Sequence, residues 1–161
     1  MLSLREPPEA QAGSDFNVNT LLRALHLGTE LEYKVQRRKT VTVAKRMEAK
    51  LVLAYQDWLG RKGCVLHVAK CGRLNCDAHD KRRNNLVEAK QSAKRELIRM
   101  AAGQLLDYAY AGRKQFGKPS MAILLPKRPD EKALGWLKEI GIHLIWREGR
   151  TFRDNYKGHF T

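Results

Sequence analysis

Residues 74–90 read LNCDAHDKRRNNLVEAK, and this stretch predicts two adjacent strands joined by a basic turn. The segments 74–80 and 85–90 place apolar and polar side chains in near alternation, which is typical of strands with one buried face. Charged and turn-forming residues separate them. Because so short a connection can only join antiparallel neighbours, we expect a hairpin in this stretch.

Apolar spacing outside this hairpin predicts the remaining elements. Helices are expected at about 17–27, 43–59, 93–111 and 129–140, further strands at 64–69, 121–125 and 142–146, and a basic connector at 34–39. The order predicts an α/β fold with a mixed sheet of four to five strands, flanked by helices. We divide the chain into a flexible tail (1–17), an N-terminal helix with its basic connector (18–42), the main domain (43–152) and a C-terminal tail (153–161).

The charge of the chain favours a polyanionic partner. Lys and Arg number 31 against 17 Asp and Glu, a formal net charge of +14. This excess favours DNA, RNA or an acidic membrane surface through counterion release. The sequence contains no apolar run long enough to span a bilayer, and its first residues lack the apolar core of a signal peptide, so we expect a cytoplasmic protein.

Two carboxylates and a lysine come together in the predicted hairpin. Glu88 and Lys90 alternate onto one face of their strand, while Val87 and Ala89 face a core. Alternation also places Asp77 on one face with Asn75 and His79, and Leu74, Cys76 and Ala78 on the other. If the strands pair, Asp77 lies near Glu88, and the two carboxylates suit Mg²⁺ or Mn²⁺. An ordinary cross-strand cluster of ion pairs is the alternative.

The following helix carries two polar residues on an otherwise apolar face. Gln104 and Tyr108 are four residues apart and therefore share that face with Ala101 and Leu97. Separately, each could be a structural residue, with Gln104 at a strand edge and Tyr108 in the core.

Together, Asp77, Glu88-Ala-Lys90 and Gln104-x-x-x-Tyr108 resemble the PD-(D/E)XK nucleases, and more narrowly their RecB-like branch with a QxxxY motif. The resemblance covers about residues 43–146 and implies a restriction-endonuclease-like core. It implies that Asp77 and Glu88 bind the metal, that Lys90 positions the attacking water, that Gln104 orients the site and that Tyr108 helps to hold the substrate. Cys76 stands where the family name expects proline.

The resemblance also implies further ligands and a reaction. Glu48, on the first core helix, matches a glutamate that faces the site in many members, and the backbone carbonyl of Ala89 would join the coordination. The implied activity is Mg²⁺-dependent hydrolysis of phosphodiester bonds, most simply by a DNA endonuclease, as a homodimer or part of a larger nuclease assembly.

Basic residues near these motifs are candidates for contacts with nucleic acid. Lys81, Arg82 and Arg83 occupy the hairpin turn, where they would reach phosphates near the scissile bond or form only a solvated tip. Lys94 and Arg95 start the next helix, where the dipole disfavours cations, and a phosphate partner would explain them.

Two other functions fit parts of the sequence. The net charge alone would suit a non-catalytic module that binds nucleic acid. Cys64-x-x-His67 and Cys76-x-x-His79 have spacings seen in zinc sites, but the members of each pair point to opposite faces if these segments are strands.

Overall fold

The computed structural model describes the backbone of residues 18–161 and the side chains of residues 36–132 and 135–161. The chain forms two units, one ending at Thr40 and the other covering Val41–Thr161. The described part of the first unit is helical. The predicted tail at 1–17 lies outside the described residues.

The helices are α1 (Val18–Gly60), α2 (Arg95–Ala111), α3 (Arg113–Phe116) and α4 (Leu134–Glu139), with a 3-10 turn at Glu131–Ala133. The strands are β1 (Leu66–Cys71), β2 (Leu74–Asp80), β3 (Asn85–Ala89), β4 (Ser120–Leu125), β5 (Ile142–Glu148) and β6 (Thr151–Asp154). They form one six-stranded sheet in chain order. β1, β2 and β3 pair antiparallel, β3, β4 and β5 pair parallel, and β6 returns antiparallel to β5.

The predicted α/β class with a mixed, helix-flanked sheet is confirmed, whereas the expected four to five strands fall short of the six in the structure. The missing strand is β6, which contributes a single apolar residue, Phe152, to the core. A segment of four residues carries too little periodicity to be recognised without its partner, β5.

The predicted helix and connector within residues 18–42 are also corrected. α1 runs without interruption from Val18 to Gly60. The basic run 34–39 contains no proline, and Lys, Arg and Gln are good helix formers. The concentration of positive charge at 34–39 therefore does not interrupt the helix.

The C-terminal segment is part of the fold, in contrast to the predicted tail at 153–161. The carboxylate of Asp154 accepts hydrogen bonds from the backbone N–H groups of Tyr156, Gly158, Phe160 and Thr161. Phe160 is fully buried, and the Tyr55 hydroxyl donates to its carbonyl oxygen at 2.5 Å. This segment closes over the same face of the sheet as α1.

The sheet separates two apolar clusters. On one face α1 packs its residues Leu51, Tyr55 and Leu59 against β-strand side chains that include Val87 and Leu124. On the other face, apolar residues of α2, α3 and α4 pack against the strands. The helices contribute Ile98, Ala101, Ala102, Leu105, Tyr108, Phe116 and Leu137 to this cluster. The strand residues in it include Leu86, Ile123, Leu125, Ile142 and Leu144. β3 is therefore buried on both faces.

Candidate active site

β2 and β3 separate at Asp77. Their ladder covers Asp80–Asn85, His79–Leu86 and Ala78–Val87. One step further, Asp77 Oδ2 accepts a hydrogen bond from the N–H of Ala89 at 2.8 Å. A side-chain oxygen takes the place of a strand carbonyl at this step, so the Asp77 carboxylate lies beside Glu88 and Lys90.

The predicted alternation along β2 fails at this point. The β1–β2 register shifts by one residue between His67 and Ala69. Consequently Cys76 packs in the cluster under α2, whereas Ala78 packs with Val87 on the opposite face, although alternation predicts both on one face. A bulge of this kind redirects side chains next to it. The predicted proximity of Asp77 and Glu88 survives, because the Asp77–Ala89 bond secures it.

Glu88 and Lys90 share one face, as the alternation along their strand predicts, and they form a buried ion pair. Lys90 Nζ lies 2.9 Å from Glu88 Oε1, and both residues are only 3% exposed. Within the described residues, Glu88 Oε2 has no hydrogen-bond partner although it is buried. Burial, and then the charge of Asp77, raise the pKa of Glu88 to about 7 despite the nearby Lys90. The carboxylate pair is thus short of positive charge.

Gln104 and Tyr108 meet on α2, as their spacing predicts. Gln104 Nε2 donates to the Tyr108 hydroxyl at 3.3 Å. Burial, and then the charge of Glu88, raise the pKa of Tyr108 to about 12, so the phenol stays protonated at neutral pH. Gln104 Oε1 is buried without a partner among the described residues. Both side chains face the acidic pair with hydrogen-bonding capacity to spare.

These side chains surround one pocket of about 590 Å³ in the second unit. Its described lining comprises Lys45, Glu48, Ala49, Val52 and Leu53 of α1, Asn75 and Asp77 of β2, Glu88 and Lys90 at the end of β3, and Gln104 and Tyr108 of α2. The structure therefore brings together the predicted Asp77, Glu88, Lys90, Gln104, Tyr108 and Glu48. Ala89 lies between two of the lining residues and is fully buried.

The orientation of Glu48, which its place on the helix leaves open, is toward the pocket. Burial is the largest influence on Glu48 and raises its pKa, while Lys90 lowers it and Asp77 raises it. The helix also presents Lys45 one turn earlier. Sequence alone does not identify Lys45 as a pocket residue, because only the packing of α1 against the sheet brings it there, whereas Asn75 lines the pocket together with Asp77, with which alternation groups it.

The basic hairpin turn lies at the opposite end of β3 from Glu88, and Lys81, Arg82 and Arg83 do not belong to the described lining of the pocket, so their contact with phosphates near the scissile bond stays a prediction. The turn adjoins Asn85, and Glu88 lies three residues further along β3, roughly 10 Å at the rise of a strand. Arg83 is in addition engaged in the fold: Nε pairs with Asp80 Oδ2 at 2.5 Å, and a terminal nitrogen donates to the carbonyl of His159 at 2.9 Å.

Lys94 and Arg95 follow the pocket residue Lys90 by four and five residues in the chain. α2 begins at Arg95, only a few residues after Lys90, and both cations are exposed. Neither belongs to the described lining of the pocket. Their predicted contact with phosphate therefore concerns the surface just outside it.

Two carboxylates fit a hard cation better than they fit zinc. Within the described residues, no three His, Cys, Asp or Glu side chains are grouped closely enough to hold a metal ion. The predicted zinc ligands are engaged separately: Cys76 Sγ donates to the Val87 carbonyl, His79 stacks edge-on against Phe116, and Cys64 precedes β1. Mg²⁺ instead is commonly bound by one or two carboxylates together with water and phosphate oxygens. Asp77 and the unpaired Glu88 Oε2 can provide the carboxylate oxygens.

In comparisons with known proteins, no family model, curated protein or solved structure matches the chain. Among the described residues, no helix is long and apolar enough to cross a membrane.

Proposed function

We propose that this protein is a metal-dependent nuclease that hydrolyses phosphodiester bonds in DNA, with a restriction-endonuclease-like core of the RecB-like PD-(D/E)XK type. The single observation that carries the proposal is the buried Glu88 carboxylate, which has an unpaired oxygen beside Asp77 and an ion pair to Lys90. An endonuclease is the form of the activity that we propose.

The electrostatics of the pair support a cation partner. A buried carboxylate with a raised pKa and a second carboxylate beside it is destabilised as an anion, and Mg²⁺ or Mn²⁺ would offset that cost. Asp77 and Glu88 would hold the ion, with the Ala89 carbonyl as a further oxygen donor, whereas Glu48, which is not grouped with the pair closely enough to hold the same ion directly, would act through a metal-bound water. Such an ion lowers the pKa of a bound water and neutralises charge that develops on a phosphate.

Lys90 has the position of a group that acts on the attacking water. Its ammonium is anchored to Glu88 Oε1 at 2.9 Å, which leaves two further N–H donors directed by the same fixed side chain. A donor held rigidly in a buried site stabilises developing negative charge without reorganisation. Lys90 would orient a water and the phosphate oxygens beside the carboxylates.

Gln104 and Tyr108 would complete the pocket from α2. The Tyr108 hydroxyl receives the Gln104 amide, so its own proton remains available for a substrate oxygen. The unpaired Gln104 Oε1 offers a matching acceptor. A nucleotide has both donors and acceptors, and its entry would satisfy these buried groups.

A cleavage assay tests the proposal. Its substrates are supercoiled plasmid, linear DNA, single-stranded DNA and RNA, each with and without Mg²⁺ or Mn²⁺. We expect cleavage that requires metal and falls at least 100-fold in Glu88→Gln and in Lys90→Ala. The exposed Glu139→Gln and Lys138→Ala serve as matched controls on the same protein. Equal cleavage by all four variants would assign the activity to a contaminant.

The non-catalytic binding module remains the second candidate because of the net charge of +14. It predicts salt-sensitive binding to DNA or RNA, no metal-dependent cleavage on any substrate of the panel, and little effect of Asp77→Asn on binding. Adding Asp77→Asn to the same panel of variants therefore separates the two functions.

A further inference from the structure

A second basic surface lies at the end of the hairpin, away from the pocket. It is formed by two adjoining segments, the β2–β3 turn and the α3 region, and we call it the tip surface. Its exposed cations are Lys81, Arg82, Arg113, Lys114 and Lys118.

Asn84 fastens the two segments of the tip surface to each other. Its Nδ2 donates to the Phe116 carbonyl at 2.7 Å, and its own carbonyl accepts from the N–H of Ser120 at 3.0 Å. Phe116 is buried against the ring of His79. A Cβ on Gly112 would lie 2.3 Å from the Phe116 ring, so the glycine permits this close approach. The relative position of the two segments is thus fixed by the core.

The turn itself is held from below. Asp80, which is 2% exposed, accepts from the N–H groups of Arg82 and Arg83 at 3.0 and 3.3 Å. Arg83 neutralises Asp80 and is occupied inside the fold. Within the turn, Lys81 and Arg82 therefore remain exposed to solvent. Their backbone is already fixed, so the turn needs no ordering when a ligand binds.

Few acidic residues adjoin the cations of the tip surface in sequence, and the nearest, Asp80, is already paired with Arg83. The sequence has no Asp or Glu at 81–87 or at 108–129. Among the ion pairs of the described residues, none engages Lys81, Arg82, Lys114 or Lys118. Arg113 lies over the exposed ring of Tyr110, 4.5 Å from its centroid, and stays at the surface. When unpaired cations on a fixed backbone bind a polyanion, they take the place of counterions condensed on it. The release of those counterions favours binding.

The tip surface is separate from the cleavage pocket. Asn85 pairs with Ser120 at the tip end of β3, and Glu88 pairs with Ile123 three residues further on. The separation is roughly 10 Å along the strand before the turn is added. Phosphates bound at the tip surface are consequently different from a phosphate bound between Asp77 and Glu88.

We propose that the tip surface is a second nucleic-acid-binding surface, which holds the phosphate backbone of DNA outside the pocket. It rests on the proposed function only in taking nucleic acid as the ligand. Contacts of this kind fix a protein on a duplex without reading its sequence.

The test measures DNA binding in EDTA, where no metal-dependent cleavage can occur. Fluorescence anisotropy of a labelled 30-base-pair duplex is recorded across a salt titration. The tip variant carries Lys81→Gln, Arg82→Gln, Lys114→Gln and Lys118→Gln. Its slope of log affinity against log salt is expected to fall by about two to four, and its affinity at low salt by about tenfold or more.

A matched control carries the same loss of charge elsewhere, by Arg61→Gln, Lys70→Gln, Lys132→Gln and Lys138→Gln, all exposed residues of the second unit. It is expected to retain most of the wild-type slope. An equal loss in both variants would show a general charge effect and overturn the tip surface. The tip surface would also be overturned as a DNA-binding surface if the tip variant lost binding to phosphatidylserine vesicles but kept the wild-type affinity for DNA.

The outcomes separate this inference from the nuclease. A tip variant that binds DNA like the wild type removes the second surface and leaves metal-dependent cleavage untouched. Selective loss of DNA binding in the tip variant, together with a wild type that does not cleave, would support the surface and remove the nuclease.

Discussion

Asp77 and Ala89 are joined by a hydrogen bond of 2.8 Å from the Ala89 N–H to the Asp77 carboxylate, at the point where β2 and β3 separate. One carboxylate oxygen thus has a structural role, and the other would bind the metal under the proposed function. Asp77→Asn can keep an acceptor for the N–H, whereas Asp77→Ala cannot. We expect Asp77→Asn to stay within about 1 kcal/mol of the wild-type free energy of unfolding and to lose cleavage at least 100-fold.

Asp77→Ala is expected to lose cleavage equally and to unfold about 1–2 kcal/mol more easily, because it leaves the Ala89 N–H buried without a partner. Urea unfolding of both variants, monitored by far-UV circular dichroism, measures the difference. Equal stability of the two variants would contradict the structural role of the Asp77–Ala89 bond.

The stability of the metal-free protein should depend on the protonation of Glu88. Its pKa is raised from 4.5 to about 7, so the folded state holds a proton that the unfolded state releases. The stabilising contribution is complete below about pH 4.5 and is lost as the pH rises to 7, by an amount on the order of 3 kcal/mol. Other groups also titrate between pH 4.5 and 8. The measured quantity is therefore the difference in free energy of unfolding between wild type and Glu88→Gln, obtained by urea unfolding in EDTA over that pH range. A difference that stays constant with pH would contradict the role of Glu88 in this pH dependence.

Mg²⁺ binding to the carboxylate pair should appear as stability without any substrate. Adding the ion at about ten times its dissociation constant would raise the free energy of unfolding by about 1.4 kcal/mol at pH 8. The effect should shrink at pH 6, where Glu88 is largely protonated, and vanish in Glu88→Gln. Thermal unfolding with Mg²⁺ and with the same ionic strength of NaCl measures it. An equal shift in wild type and in Glu88→Gln would place the bound ion elsewhere.

Local patterns predict the Glu88–Lys90 pair and the Gln104–Tyr108 pair because both depend on short-range periodicity. Glu88 and Lys90 share a face through strand alternation, and Gln104 and Tyr108 share one through helical spacing. Their mutual position depends on how α2 crosses the sheet, which periodicity does not encode. The resemblance to the PD-(D/E)XK nucleases supplies that arrangement as an expectation.

Other features depend on contacts between distant residues. The bulge at Asp77 follows from the β1–β2 register, and the position of Lys45 follows from the packing of α1. Closeness to Asp77 in sequence does not put the hairpin turn in the described pocket lining, because a strand carries its two ends apart. Likewise, residues 153–161 look like a tail until Asp154 and Tyr55 are known to bind their backbone.

Lys45 lines the pocket from α1 and should contact a bound phosphate under the proposed function. We expect Lys45→Ala to weaken DNA binding and to lower the salt slope by about one, as the loss of a single phosphate contact does. Lys50→Ala, an exposed lysine of the same helix outside the described lining, is the matched control. Anisotropy in EDTA measures both variants. Identical slopes for the two would mean that the contribution of Lys45 is only its charge.

Tyr55 should contribute to stability through the C-terminal segment. Its hydroxyl donates to the Phe160 carbonyl at 2.5 Å, and both residues are at most 1% exposed. Tyr55→Phe keeps the ring but leaves a buried carbonyl without its donor, which costs about 1–3 kcal/mol. Tyr110→Phe, on a residue that is 69% exposed, is the control and should change stability by less than about 0.5 kcal/mol. Because Tyr55 lies outside the pocket lining, cleavage per folded molecule should be unchanged in both variants. Equal unfolding midpoints for the two variants in urea would show that the Tyr55–Phe160 hydrogen bond contributes nothing to stability.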